Sequence, residues 1–514
     1  MTTNQFCILA AIAIYLIMVV YIGFKFSKGN SDSADFYLGG RKMGPFVTAM
    51  SAEASDMSSY LLMGLPGLAY LCGVCEVGWT VLGLAVGTYL NWLLVAKRLR
   101  RYSAKIDAIT VPEFFSKRFH DKKNILSAIA AVVIIVFFIP YTASGFAACG
   151  KLFNSLSDGN INYTTAMIVS AVIIVTYTVM GGFKAVSTTD FIQSIVMTVA
   201  LIIVVFFGVS VAGGWDKVWE NAKEIPSYLS FTDTFDPASG SSVSYGGIVN
   251  IISTLAWGLG YFGMPHILLR FMAIEDENKL KLSRRIASIW VVIAMAVAVL
   301  IGMIGRAMTD KAGAIDYLND SSKSESIIVK IAELLSQNGV LAAIVAGVIL
   351  AGILAATMST ADSQMLAAAS SVSQNIVGEF FGKKLTDKQN LWFARVTILV
   401  ISIIAVFLAL DPNSSVFSIV SFAWAGFGGA FGAVMLLALF WKRANTQGAL
   451  AGMIGGGATV FIWKFLVRPI GGAFNIYELL PAFIVSMLLM VVVSLVTKEP
   501  ENSVVEEFNA INAK

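Results

Sequence analysis

The chain has 514 residues, of which 57% are hydrophobic and only 13% are charged. Soluble proteins typically carry about 25% charged residues, so the composition excludes an ordinary soluble domain and predicts an all-α integral membrane protein. The formal net charge of +4 is too small and too scattered to indicate a nucleic-acid partner. The four cysteines lack the spacing of a metal site.

Thirteen apolar runs follow one another, each near the roughly 20 residues that a membrane-spanning helix needs. They lie near residues 5–27, 45–71, 76–97, 125–152, 162–183, 189–212, 245–269, 285–307, 338–364, 390–409, 413–440, 446–467 and 476–497. Lysine and arginine collect in cytoplasmic loops, and here they follow the odd-numbered spans. This pattern predicts an N-terminus outside and a C-terminus inside. Lys464 and Arg468, at the outer end of the twelfth span, fit poorly and are expected to snorkel to the interface.

The second predicted span is interrupted by the sequence SAEASDMSS at residues 51–59. An unpaired backbone group is costly in lipid, so a spanning helix breaks only where it faces a cavity, a ligand or protein. An acid inside a span is also costly and indicates function. We expect Asp56 to be the functional acid and Glu53 to be a solvated neighbour of the pathway.

The seventh predicted span contains a second interruption, AWGLGYFGMPH at residues 256–266, where glycines and a proline disfavour a continuous helix. The two interrupted spans are five apart. If spans two to six and seven to eleven are inverted repeats, the breaks correspond, and such pairs mark the binding site of a secondary transporter. Trp257 and Tyr261 are then candidates for a pocket wall, as is Tyr141 beside the helix-bending Pro140 in the fourth span.

The ninth span places Ala356, Ser359, Thr360 and Ser363 on one helical face by their spacing of three and four residues. Hard cations prefer oxygen ligands, which hydroxyl groups here and free carbonyls at a helix break can supply. Close packing of helices also uses small and hydroxyl residues. Beside a broken acidic span, a cation site is the favoured interpretation.

Several segments together resemble the sodium/solute symporter family, and most closely its bacterial members that carry proline. They are DFYLGGRKMGPFVTAMSAEASDMSSYLLMGLPG, VPEFFSKRF, GGFKAVSTTDFIQ, WGLGYFGMPHILLRFMA, ILAATMST, SFAWAGFGGAFG and GALAGMIGGG, spread from residue 35 to about 465. The resemblance implies a leucine-transporter-like fold, with a five-plus-five inverted-repeat core in about thirteen helices. Residues 1–44 would hold the first span and a cytoplasmic loop, 45–212 the first repeat, 213–440 the second repeat, and 441–514 the last two spans and tail.

The same resemblance implies a transporter, not an enzyme, that imports L-proline with sodium by alternating access across the inner (plasma) membrane. Sodium would be the coupling ion, and the lipid bilayer would be a partner. Neither an organic cofactor nor an obligate protein partner is expected. The implied sodium-binding or coupling residues are Ala54, Asp56, Met57, Ala356, Ser359 and Thr360, with backbone carbonyls at the alanines and methionine. The implied substrate residues are Ser58, Tyr141, Trp257, Tyr261 and Pro265, and Arg41 and Asp190 would support coupling from the inner side.

Four positions depart from the pattern of the proline carriers. Ser59 and Tyr60 replace Gly and Trp, Met264 replaces Gln, and Asp362 is an added acid. Another amino acid, pantothenate or a sugar therefore stays open as the solute. A proton-driven carrier and a receptor without transport are further alternatives, although no output domain is evident. An intramembrane enzyme is the weakest, because no pair of nucleophile and base is visible.

Overall fold

A computed structural model describes residues 3–27, 33–157, 159–383 and 385–512. The described chain is almost entirely helical. Two short strands, β1 (Asp233–Asp236) and β2 (Ser241–Ser244), form an antiparallel hairpin in which Asp233 lies opposite Ser244. This hairpin lies within the long loop that follows the sixth predicted span.

The described residues form 22 α-helices joined by short 3₁₀ and π segments. The α-helices are α1 (Thr3–Ser27), α2 (Ser33–Leu38), α3 (Pro45–Asp56), α4 (Leu65–Cys72), α5 (Cys75–Leu90), α6 (Ala96–Lys105), α7 (Val111–Arg118), α8 (Ile125–Leu156), α9 (Tyr163–Val211), α10 (Trp215–Glu224), α11 (Gly247–Leu255), α12 (Pro265–Ala273), α13 (Leu280–Asp310), α14 (Ser321–Ser324), α15 (Ile327–Ser336), α16 (Val340–Ser370), α17 (Asp387–Leu408), α18 (Val416–Phe427), α19 (Ala433–Phe440), α20 (Thr446–Ile462), α21 (Leu479–Val496) and α22 (Asn502–Asn512). The 3₁₀ segments are Gly39–Arg41, Ala256–Gly263, Glu277–Lys279, Arg468–Ile470 and Gly472–Phe474, and the π segments are Tyr60–Gly64, Asn91–Val95, Ser371–Phe380, Gly428–Gly432 and Trp463–Val467.

The helices form a multi-pass membrane bundle. Ten helices among the described residues are long and apolar enough to cross a membrane, or eleven if a bent pair counts as one span. Large apolar side chains such as Ile17, Phe206 and Leu488 point away from the protein interior, as lipid-facing residues do. The prediction of a membrane protein is confirmed, whereas the count of thirteen spans stays a prediction.

Helix α9 reverses direction in its middle. Gly182 has non-helical dihedral angles there, with φ 65° and ψ −174°, a region that glycine enters readily. Before it, the Tyr177 hydroxyl donates to the Met358 carbonyl of α16, and after it Ala200 packs against Gly352 of the same helix. A straight helix would hold Tyr177 and Ala200 about 35 Å apart, whereas Met358 and Gly352 are separated by less than two turns. The segments before and after Gly182 therefore run antiparallel.

The backbone is broken at both places where the sequence predicts it. Helix α3 ends at Asp56, and Met57 leaves the helical region with ψ 71°. The second break is the 3₁₀ segment Ala256–Gly263 between α11 and α12, whose axes bend by 46°. A Cβ atom on Gly260 would lie 2.0 Å from the Trp424 indole nitrogen, so only glycine permits this approach.

Candidate functional site

The break after α3 frees a backbone carbonyl that a hydroxyl of α16 then contacts. The Ser58 N–H donates to the Asp56 carbonyl at 2.9 Å, and the Ala54 carbonyl accepts the Ser359 hydroxyl at 2.7 Å instead. The hydroxyls of Ser359 and Thr360 each lie 3.2 Å from the Ala356 carbonyl. Four of the predicted sodium ligands therefore converge on one small volume.

This cluster is built from neutral oxygen atoms. Carbonyls and hydroxyls suit a hard cation, and they carry no charge that would bind a divalent ion strongly. Met57 directly follows α3, within the break itself, and lines the cavity described below. Ser363, which shares the helical face of the cluster, contacts an arginine instead.

Asp56 joins the two broken spans. Its Oδ2 atom accepts a hydrogen bond from the Tyr261 hydroxyl at 2.5 Å, and the carboxyl group is buried. The acid therefore lies between the second and seventh spans, beside the neutral oxygen cluster. Asp56, which the sequence predicts to act in coupling, is therefore in direct contact with Tyr261, which the sequence predicts to bind substrate.

Glu53 is buried, so the expectation of a solvated side chain is wrong. Its Oε1 atom accepts from the Trp92 indole at 2.8 Å and from the Thr88 hydroxyl at 3.3 Å. The neighbouring Asn91 donates to the Tyr261 carbonyl at 3.0 Å. Two neighbouring residues of the third predicted span therefore contact the two breaks: Trp92 contacts the first through Glu53, and Asn91 contacts the second through Tyr261.

A small cavity lies between the breaks. It is lined by Asp56, Met57, Tyr60, Leu84, Tyr141, Trp257, Val420 and Trp424. Its volume of about 10 Å³ is near the minimum that holds one water molecule, so its walls stand close together. Ser58 adjoins this wall, because its hydroxyl accepts a hydrogen bond from the N–H of the lining residue Tyr60 at 3.2 Å. Pro265 instead begins α12, a position where its missing N–H has no helical partner to lose.

An aromatic layer covers this cavity. The rings of Tyr60 and Trp257 stack at 5.7 Å, and those of Trp257 and Tyr477 stack at 5.0 Å. Phe417 lies 5.6 Å from both Tyr60 and Trp257, and the Trp424 indole donates to the Trp257 carbonyl at 2.7 Å. Beyond the layer opens a vestibule of about 460 Å³, of which Trp257 forms part of the floor.

The end of α18 beside the vestibule is fixed by a buried ion pair. The Lys151 ammonium lies 2.7 Å from a Glu325 oxygen. The same carboxylate accepts the N–H groups of Val416 and Phe417, each at 3.1 Å, and so caps the first turn of α18. Because α18 supplies part of the cavity wall, this pair positions it.

A second buried ion pair lies on the opposite side of the cavity. Arg270 is 2.9 Å from Asp190, and both side chains are at most 1% exposed. The Ser51 hydroxyl donates to Asp190 at 2.6 Å, and Arg270 donates to Ser51 and Ser363. This network joins α3, α9, α12 and α16. Sequence reasoning identified Asp190 and missed Arg270, although a lone basic residue in the apolar run HILLRFMA is itself a signal.

Arg41 binds backbone carbonyls rather than acids. Its guanidinium donates to Ala108 at 2.6 Å, to Ser103 at 3.0 Å and to Met272 at 2.9 Å. Burial, with a smaller contribution from Arg100, lowers the pKa of Arg41 to about 10, so the group is charged at neutral pH. Arg41 therefore ties the loop after α6 to the end of α12.

Two broken spans that meet at a central cavity, beside a hydroxyl-rich helix, define the site of a secondary transporter. The family profile described as "Sodium:solute symporter family" matches residues 36–456. The chain belongs to the sodium:solute symporter family, which confirms the resemblance drawn from the sequence motifs. Its relatives are transporters, so this protein is a transporter and not an enzyme.

Two curated relatives match almost the whole chain. The osmoregulated proline transporter OpuE of Bacillus subtilis is 42% identical over 494 residues, covering 96% of this chain and 95% of that protein. The sodium/proline symporter of Haemophilus influenzae is 40% identical over 509 residues, covering 98% and 97%.

Solved structures show the same fold at low sequence identity. A Na⁺-coupled sialic acid symporter in a substrate-bound outward-open state has a TM-score of 0.76 at 17% identity, over 98% of this chain and 99% of that one. MHP1, a nucleobase-cation-symport-1 family transporter, has a TM-score of 0.54 at 14% identity, over 93% and 99%. The protein therefore has a transporter fold.

Proposed function

We propose that this protein imports L-proline together with sodium by alternating access. The observation that carries the proposal is the direct contact of the two breaks, where the Tyr261 hydroxyl meets Asp56 at 2.5 Å beside a cavity under an aromatic layer. The names of the relatives, a proline transporter and a sodium/proline symporter, support proline and sodium as the transported pair.

Sodium would bind to the carbonyls of Ala54, Met57 and Ala356 and the hydroxyls of Ser359 and Thr360. Asp56 would stabilise the bound charge from the adjacent cavity. A tenfold sodium gradient contributes about 1.4 kcal/mol, and a potential of 100 mV about 2.3 kcal/mol per charge. With tight one-to-one coupling, one sodium ion would sustain roughly 500-fold accumulation of solute.

Proline would enter the cavity when its walls separate. Its carboxylate would accept from backbone amides exposed at the helix break, and its apolar ring would pack on Trp257 and Tyr141. Ser58 and Pro265 would shape the path at the two breaks. Tyr60, which replaces Trp in the cavity wall, supports the second candidate, sodium symport of another amino acid, pantothenate or a sugar.

The substrate assignment is tested by competition. Protein reconstituted into liposomes should take up labelled L-proline under an inward sodium gradient, and excess unlabelled proline should suppress this uptake far more than other amino acids, pantothenate or glucose. Stronger suppression by one of those solutes would reassign the substrate.

The finer architecture is part of the proposal. Thirteen spans are supported by the reversal at Gly182, which divides α9 in two. The lysines and arginines that follow the odd-numbered spans support an N-terminus outside and a C-terminus inside. The positions of the two breaks support inverted repeats at 45–212 and 213–440, flanked by 1–44 and 441–514. The vestibule would then open outward, with the Asp190 and Arg41 networks closing the inner side. The composition and family support the inner (plasma) membrane as location.

Replacing Ser359 by alanine should raise the sodium concentration for half-maximal uptake about tenfold, because one hydroxyl ligand is worth about 1.5 kcal/mol. The measurement is initial proline uptake against sodium concentration in liposomes. Ser371→Ala is the matched control, since the Ser371 hydroxyl donates to the Ala367 carbonyl three turns further along. Equal sodium dependence in both variants would remove Ser359 from the ion site.

A further inference from the structure

An apolar groove of about 210 Å³ lies away from the central cavity, between α1, α8, α9 and α16. Among the residues that the structure describes, none lines both this groove and the cavity or the vestibule, and none that lines the groove is charged. An apolar cavity stays free of water and accepts apolar molecules. The groove is therefore suited to an apolar ligand that binds outside the proposed transport path.

The groove extends over a distance that matches one leaflet of the membrane. At one end it reaches Ile161, in the loop between α8 and α9, where the neighbouring Asn160 is polar and exposed. From there it follows α9 from Thr165 to Ile174, a rise of about 13 Å. The hydrocarbon core of a bilayer is about 30 Å thick, so each leaflet contributes about 15 Å. The groove thus has a polar mouth and the depth of one leaflet.

Two tyrosines fix the floor of the groove at Met358. The Tyr15 hydroxyl of α1 donates to the Met358 Sδ atom at 3.9 Å, and the Tyr177 hydroxyl of α9 donates to the Met358 carbonyl at 3.1 Å. Leu354, one turn earlier on α16, lines the same floor. Both tyrosines are buried, so contacts among three helices fix this end of the groove before any ligand binds.

The surroundings and the width of the groove identify its occupant. Val169, which lines the groove, is 52% exposed, and Val172, on the same helix but outside the groove, is 59% exposed. In a membrane-spanning helix such apolar side chains face hydrocarbon. The volume of the groove, spread over about 13 Å, gives a cross-section of about 16 Å², which is too narrow for a helix about 10 Å across. A single acyl chain fits this width, and a polar headgroup fits the mouth beside Asn160.

We propose that this groove is a binding site for one acyl chain of a membrane lipid, whose headgroup lies beside the loop between α8 and α9. The end of the chain packs on Leu354 and Met358, which are four residues apart and share one face of α16. Ala356 and Thr360 of the proposed ion site lie on the opposite face of the same helix, by their spacing of two residues from this pair. The lipid therefore packs directly behind the helix that would hold sodium. The inference requires only that the protein spans the membrane, and it does not depend on which solute is carried.

The test is photolabelling of the full chain in lipid nanodiscs, with labelled residues identified by mass spectrometry. The probe is a phosphatidylethanolamine that carries a diazirine at the end of one acyl chain, and it should label Leu354 and Met358. A diazirine on the headgroup should instead label the loop around Asn160. Phosphatidylglycerol with the same modified chain should label to the same extent, because the chain and not the headgroup binds in the groove.

Matched variants distinguish this site from transient contact with lipid. Val169→Trp and Ile173→Trp, which fill the groove, should each reduce the labelling of Leu354 and Met358 at least fivefold. Val172→Trp adds the same indole to the same helix outside the groove, and it should leave the labelling unchanged. A single symmetric peak in size-exclusion chromatography, at the wild-type elution volume, shows that each variant is folded.

Three results would overturn the proposal. One is labelling of Leu354 and Met358 no stronger than that of Ile403, an exposed residue of α17 outside the groove. Another is unchanged labelling in folded Val169→Trp and Ile173→Trp. The third is a wild-type dimer that Val169→Trp splits without any change in labelling, since a second copy of the chain would then cover the groove.

Discussion

Replacing Asp56 by asparagine should raise the sodium concentration needed for half-maximal proline uptake by roughly 10- to 100-fold. The substitution keeps the size of the side chain and removes its negative charge. A hydrogen bond to a charged group contributes about 1.5–3 kcal/mol, and the loss of a charge beside a buried cation adds to this effect. The measurement is initial uptake of labelled proline into liposomes across a range of sodium concentrations.

Tyr261→Phe separates the charge of Asp56 from its geometry. This variant removes the hydroxyl that donates to Asp56 and keeps the carboxylate. We expect its sodium requirement to change less than that of Asp56→Asn, while its apparent affinity for proline falls. If Asp56→Asn has the sodium dependence of the wild type, Asp56 has no part in coupling.

Removing the charge of Arg270 should destabilise the protein more than any other single change considered. Arg270→Gln leaves Asp190 charged and unpaired among four helices, and breaking such a buried pair costs about 3–5 kcal/mol. We expect a large fall in the thermal midpoint and in the yield of folded protein, measured by fluorescence-detected size-exclusion chromatography after heating.

Two controls make that result specific. Arg285→Gln, at an exposed position of α13, should leave the midpoint near that of the wild type. The double variant Arg270→Gln with Asp190→Asn should recover part of the loss, because neither partner then carries a buried charge. A single variant as stable as Arg285→Gln, or a double variant no better than the single one, would contradict this role.

The sequence predicts the breaks because their causes are local. Pro265 and the glycines around Tyr261 disfavour a helix whatever surrounds them, and small residues beside Asp56 do the same. The hydroxyl face of α16 also follows from spacing alone. The predicted ion-site residues Ala54, Ser359 and Thr360 accordingly meet in the structure, although their role in binding sodium stays a prediction.

The sequence fails to predict two kinds of feature: contacts between distant parts of the chain, and short elements that are not membrane-spanning helices. The sequence does not predict the burial of Glu53, because the donor that satisfies its carboxylate, Trp92, lies on another span 39 residues away. Arg270 and Glu325 are fixed by partners on distant helices. Helices α10, α14 and α22 and the β1–β2 hairpin are short and polar, so they lack the 20-residue apolar signal that identifies a span.

The central claim is that a sodium gradient drives proline across the membrane through this protein. The direct measurement is accumulation of labelled L-proline in protein-containing liposomes at fixed pH, with an inward gradient of either sodium or choline. We predict accumulation well above the outside concentration with sodium and only equilibration with choline. Equal accumulation in choline, or accumulation driven by an inward proton gradient alone, would contradict sodium coupling.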